Sequence, residues 1–125
     1  MLLVKTYLDR SPIHGVGLFA EESIPKGTVV WEFNPLIDII LTQEQFEQLP
    51  EPAKQFIYDH AYPFPIGADN YCLSLDRDQY MNHSLTPNVV DQDKKTSIAA
   101  KDIEKSMELT CNYYPINHRI TESSL

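Results

Sequence analysis

Nine prolines, from Pro12 to Pro115, are spread along this 125-residue chain and leave little room for long helices. Proline removes a backbone donor and clashes with the preceding helical turn, so a chain punctuated this way folds as short elements joined by turns. Between the prolines lie short runs rich in β-branched or aromatic residues: Leu2–Leu8, Gly17–Ala20, Thr28–Phe33, Leu36–Leu41, Tyr71–Leu75, Thr96–Ala100 and Glu108–Tyr114. Each ends near a Gly, Pro, Asn or Asp, as strands of small sheets do. The expected fold class is mostly β.

One stretch departs from that pattern. Thr42 followed three residues later by Gln45 reads as a capping box, and Pro52 suits the first turn of a second helix. Phe56, Ile57 and His60 then fall on one helical face. The pattern predicts a short helical insert over about 42–62, ended by Pro63 and Pro65, with a packing role. A weaker internal similarity links "AEESIPKGTVV" (Ala20–Val30) with "AKDIEKSMEL" (Ala100–Leu109). Both read as tight turns, and Ser106 stands where the first has Gly27.

Length fits one domain spanning 1–125. With 42% hydrophobic and 22% charged residues the chain is far from the composition of disorder. The opening apolar run is broken at Lys5 and no segment approaches a membrane span, so the expected location is intracellular, with no membrane partner. A net charge of −8 argues against binding nucleic-acid phosphates; it reads equally as favouring a cationic partner or as serving solubility alone. Cys72 and Cys111 are far apart and lie in no Cys/His cluster. They are expected as buried free thiols, with no metal site.

Three segments could carry chemistry: "HGVGLFA" (His14–Ala20), "MNHSLTPN" (Met81–Asn88) and "ELTCNYY" (Glu108–Tyr114). Gly15-Val16-Gly17 lacks the third glycine of a dinucleotide fingerprint; it reads either as a flexible turn or as backbone that a ligand can approach closely. His83 has no partner nucleophile or second clustered histidine, and the Asn-His-Ser run alone reads equally as a polar loop capped by its own side chains. Tyr113 and Tyr114 alone read as packing aromatics.

In this order, however, "GVG", "NHSLTPN" and "ELTCNYY" resemble the SET-domain protein-lysine methyltransferases over nearly the whole chain, with the helical insert where that family varies. The resemblance implies a β-clip of small curved sheets, with the Asn-His-Ser segment beside the C-terminal Tyr segment in a pseudoknot-like crossing. It implies S-adenosylmethionine as cofactor, cradled by Gly15, Val16 and Gly17, bound by the Asn82 side chain and by the backbone of His83. Tyr113 is implied as the catalytic tyrosine, Tyr80 as an aromatic wall of the substrate channel, and Tyr71 as a further pocket candidate. The implied partner is a lysine-containing, basic protein or peptide.

Four positions depart from the family pattern. Ser106 replaces a glycine, so its turn must avoid a positive φ or be otherwise supported. Asn112 replaces an aspartate, and Cys111 stands where a Phe or Tyr helps set the number of methyls, which leaves more room in the channel. The 88–98 segment suggests a trimmed surface hairpin. With no cysteine-rich region at either end, the expectation is a minimal, stand-alone SET protein whose channel is closed by its short tail, by the substrate or by a homodimer partner. A non-catalytic SET scaffold that binds cofactor or peptide is the alternative.

Overall fold

A computed structural model describes residues 1–63, 70–93 and 95–112. In chain order the elements are β1 (Thr6–Arg10), β2 (Val16–Ala20), β3 (Val29–Glu32), β4 (Asp38–Leu41), α1 (Gln43–Glu47), α2 (Glu51–His60), β5 (Tyr62–Pro63) and β6 (Tyr71–Ser74). A 3-10 helix (Arg77–Tyr80), β7 (Asn82–His83), β8 (Val89–Asp91), β9 (Thr96–Ala99) and β10 (Thr110–Cys111) follow. The fold is mostly β, in small open sheets. β1 and β2 form an antiparallel hairpin; β9 is the centre of the antiparallel sheet β3-β9-β8; β6 is the centre of β4-β6-β5; and β10 runs parallel to β7.

The insert follows its sequence signals. Thr42 Oγ1 accepts from the Gln45 N–H at 3.1 Å while Gln45 Oε1 accepts from the Thr42 N–H at 2.9 Å, closing the capping box. Pro52 sits in the first turn of α2, where its missing N–H costs nothing. Phe46 stacks on Tyr71 with ring centroids 4.2 Å apart, and this pair with Ala61 seats the insert on β6.

Several strands differ from expectation for local reasons. The first is Thr6–Arg10 rather than Leu2–Leu8: Leu2 makes an isolated bridge to Trp31 and packs on the core, while the polar Asp9 and Arg10 continue the hairpin to Val16. Leu36 is excluded from its strand because Asn34 accepts from the Ile37 and Asp38 N–H groups and from Leu36 through its side chain, folding residues 34–37 into a turn. The C-terminal strand contracts to Thr110–Cys111, and Tyr113 and Tyr114 lie outside the described residues. β8 and β9 pair antiparallel, with Val89 opposite Ala99.

The two similar turns meet face to face. Ile24 and Ile103 exchange both backbone hydrogen bonds at 2.8 Å. The Gly27 N–H donates to Ala99 O and the Ser106 N–H to Ala20 O, each at 2.8 Å; the Ala99 N–H donates to Thr28 O and the Ala20 N–H to Met107 O, each at 2.9 Å. The pairing is reciprocal, residue for residue. It places Ala20, Ile24, Ala99 and Ile103 in the core with Leu18, Val30 and Leu109, each large aliphatic side chain contributing about 1.5–3 kcal/mol by burial.

Ser106 does not avoid the left-handed region. Its φ is +73°, against +87° at Gly27, and the bond from its N–H to Ala20 O holds it there. An L residue in that region is strained by about 1–2 kcal/mol, whereas glycine adds roughly 0.5–1 kcal/mol of unfolded-chain entropy. Ser106→Gly therefore raises the unfolding free energy by up to about 1 kcal/mol. A higher urea midpoint at unchanged m-value is the expected reading, and a lower one contradicts it.

Candidate active site

The turn between β1 and β2 is built around Ser11. Its N–H donates to Gly15 O at 2.8 Å, and its hydroxyl oxygen accepts from the Ile13 N–H at 2.9 Å. Gly15 has φ +46°, and a Cβ there would meet nothing, so this backbone faces open space. Gly17 is glycine for another reason. A Cβ there would overlap the Glu108 carboxylate and lie 2.9 Å from Ser11 Cβ.

Glu108 connects all three segments. Its carboxylate accepts from the Ser11 hydroxyl at 2.8 Å and from Asn82 Nδ2 at 2.9 Å, and Asn82 Nδ2 also donates to His14 O at 3.0 Å. A backbone carbonyl can only accept, so the Asn82 amide must point its nitrogen into this network. Its oxygen then faces the other way, and no described residue donates to it. Asn82 itself is buried.

The neighbouring crossing is held by Asn88. Its side chain donates to Glu108 O at 2.8 Å and accepts from the Thr110 N–H at 2.8 Å. This aligns β10 beside β7, with Thr110 opposite Asn82 and Cys111 opposite His83, and the Ser84 N–H closes on Cys111 O at 2.9 Å. Burial holds the His83 imidazole below its usual pKa, which favours the neutral ring. Burial, with the charges of Asp91 and Asp78, pushes the Cys111 thiol up to about 12, so it stays protonated.

Asp76 caps the 3-10 helix by accepting from the Asp78 N–H, and it also accepts from the Leu2 N–H. Burial opposes ionisation of Asp76, but hydrogen bonds from Asp78, Leu2 and Ser74 bring its pKa down. Burial, then the hydrogen bond and charge of Asp76, raise that of Asp78. Asp78 therefore keeps its proton to higher pH than Asp76.

Of the sequence-predicted residues, Gly15, Val16, Gly17, Asn82, His83 and Cys111 are brought together by these contacts. Tyr80 ends the 3-10 helix, its ring 5.9 Å from that of His60 on α2. Tyr71 is buried in the packing of α1 on β6, stacked on Phe46. Tyr113 lies outside the described residues. Among the described residues no cluster of His, Cys, Asp and Glu could hold a metal ion, and no helix is long and apolar enough to cross a membrane.

A glycine loop, a buried Asn-His strand and a Glu-Leu-Thr strand are therefore joined in one network, and the SET domain family profile matches residues 15–114, which contain all three. The chain belongs to the SET-domain family. Histone-lysine N-methyltransferase 2D of Homo sapiens and that of Mus musculus are each 32% identical to it over 117 residues, covering 86% of this chain but 2% of theirs. This SET domain thus spans a small fraction of the length of those relatives. A Plasmodium falciparum protein assigned as a histone methyltransferase superposes with a TM-score of 0.61 at 22% identity, over 90% of this chain and 95% of that one. The Chaetomium thermophilum Polycomb Repressive Complex 2, as a humanized mutant bound to the inhibitor GSK126, gives a TM-score of 0.64 at 20% identity, over 88% of this chain and 15% of that one. These two likenesses show the SET fold.

Sequence reasoning missed Ser11 and the role of Glu108. The available signal was a carboxylate heading a strand whose next residues, Leu109 and Thr110, are buried. Glu108→Ala leaves the Ser11 and Asn82 donors without their acceptor and lowers stability by about 2–3 kcal/mol, while Glu108→Gln keeps a carbonyl acceptor and loses about half as much. Chemical denaturation checks the order, and faster hydrogen exchange at Ile13 and His14 in the alanine variant checks the cause.

Proposed function

We propose that this SET domain transfers a methyl group from S-adenosylmethionine to the ε-amine of lysine in a protein substrate. The observation that carries the reading is the Asn82 amide, turned by Glu108 and His14 O so that its oxygen is an acceptor not used by the described chain. Such an acceptor on a buried residue, next to a glycine turn where a Cβ at Gly15 would meet no described atom, fits the ammonium end of an amino-acid-like cofactor. Gly15, Val16, Gly17, Asn82 and the backbone of His83 would hold it. Bound there, the cofactor supplies a methyl group on a cationic sulfonium.

The chain's own work is alignment and desolvation. A lysine with an ordinary pKa of ~10.4 arrives protonated and must lose its proton to become a nucleophile. A channel walled by Tyr80 and the neutral Cys111 thiol would bury the ammonium and so lower its pKa, and the nearby positive charge acts in the same direction. No dedicated base residue is needed. Tyr113, which follows Asn112 in the sequence, would orient the amine through its hydroxyl. The net charge of −8 would steer a basic segment toward the domain.

The test begins with titration calorimetry of S-adenosylmethionine, followed by radiolabelled methyl transfer to mixed core histones and other basic proteins. Binding and transfer are expected, with Tyr113→Phe slowing transfer by about 100-fold while binding is retained. Absence of cofactor binding overturns the reading; binding without transfer to any protein points to a scaffold. Because Cys111 is smaller than a Phe or Tyr, more than one methyl is expected per lysine. Mass spectrometry that finds only monomethyl-lysine at exhaustive turnover contradicts that.

A further inference from the structure

Three aromatic contacts join the helical insert to the rest of the described chain. Phe46 stacks on Tyr71 and Tyr62 meets Trp31 edge-on with centroids 5.4 Å apart; Phe46, Tyr71 and Trp31 are all buried. The third differs in both respects that matter. His60, the last residue of α2, meets Tyr80 at 5.9 Å with the ring planes 72° apart, and both residues remain half-exposed. A half-exposed pair adds little to the burial that folds the insert. Tyr80, moreover, lies two residues before Asn82.

His60 is held in a single orientation. Its Nδ1–H donates to Phe56 O at 2.9 Å, since a carbonyl can only accept, and its ring stacks on Phe56 at 4.3 Å with planes 22° apart. Phe56 is itself 42% exposed. A ladder of Phe56, His60 and Tyr80 therefore runs from α2 to the 3-10 helix that leads into β7. Aromatic pairs prefer such stacked and edge-to-face geometries, each worth about 2–12-fold in an equilibrium.

We propose that His60 is a positioning residue for the lysine substrate: fixed on α2 by Phe56, it sets the ring of Tyr80 and thereby the wall of the lysine channel. This rests on Tyr80 lining that channel, as proposed for the transfer reaction. The chemical requirement at position 60 is a flat ring. Phenylalanine keeps the stack and the edge contact while losing only the bond to Phe56 O, and alanine loses both contacts.

The experiment compares His60→Ala, His60→Phe and Tyr80→Ala. In protein without cofactor, the Tyr80 ring signals in the NMR spectrum are expected to move in His60→Ala and to return toward their place in His60→Phe. In initial-rate assays on mixed core histones, His60→Ala is expected to raise KM about 3–10-fold, with His60→Phe restoring it and the calorimetric Kd for S-adenosylmethionine unchanged in both. A general loosening of the insert would not be rescued by phenylalanine. Tyr80 ring signals that stay in place in His60→Ala overturn the proposal whatever the rates do. If Tyr80→Ala raises KM and His60→Ala does not, the role of His60 falls while the channel reading stands. If Tyr80→Ala leaves KM unchanged, the channel assignment of Tyr80 fails and the proposal fails with it.

Discussion

The arrangement around the site depends on one carboxylate. Glu108 lies where the glycine turn, the Asn-His strand and the Glu-Leu-Thr strand meet, and it accepts from Ser11 on one side and Asn82 on the other. Carboxylates bonded to several donors are stronger acceptors than neutral groups, and a donor left unsatisfied in such a place costs about 1–3 kcal/mol. That asymmetry explains three sequence choices together. Ser11 supplies a hydroxyl, Asn82 a donor pair, and Gly17 the space in which the carboxylate sits. The glycine is required by a side chain 91 residues later in the chain as much as by any ligand.

The facing turns at Ile24 and Ile103 give that carboxylate its place. Their reciprocal bonds lock Ala20 at the end of β2 to Met107, which puts Glu108 opposite Phe19 as a single bridge. Leu109 then bonds to Leu18 O at 2.7 Å and enters the core. The chain is thus fixed immediately before Glu108 and immediately after it. A strained φ at Ser106 persists because the bonds on either side of it over-determine the turn.

Much of this was legible beforehand. The β class, the capped insert and the three motifs follow from local chemistry: prolines, β-branched runs, Thr42 with Gln45, and side chains of fixed function. What local chemistry does not encode is pairing between distant segments. Leu2–Leu8 reads as a strand by composition, yet the core takes Leu2 and Val4 individually and the hairpin register is set by the Ser11–Gly15 bond. Tyr71 reads as a pocket residue and is buried under Phe46, because an aromatic on a half-covered sheet packs against whichever helix lands on it. His60 reads as one more residue of a helical face, and its contact with Tyr80 depends on where β5 and β6 return the chain.

The charge distribution supports the same functional reading by a separate route. The chain carries a net charge of −8, yet next to Asn82 burial favours the unprotonated His83 ring and the protonated Cys111 thiol. The Glu108 carboxylate has its oxygens engaged by Ser11 and Asn82. Two further carboxyls meet at the 3-10 helix, where Asp76 caps its start and Asp78 keeps its proton to higher pH. A net acidic chain attracts an ammonium from a distance, and burial at the site then disfavours keeping it charged. For the methyl transfer proposed above, whose nucleophile is a neutral amine, attraction outside and burial inside would act in sequence.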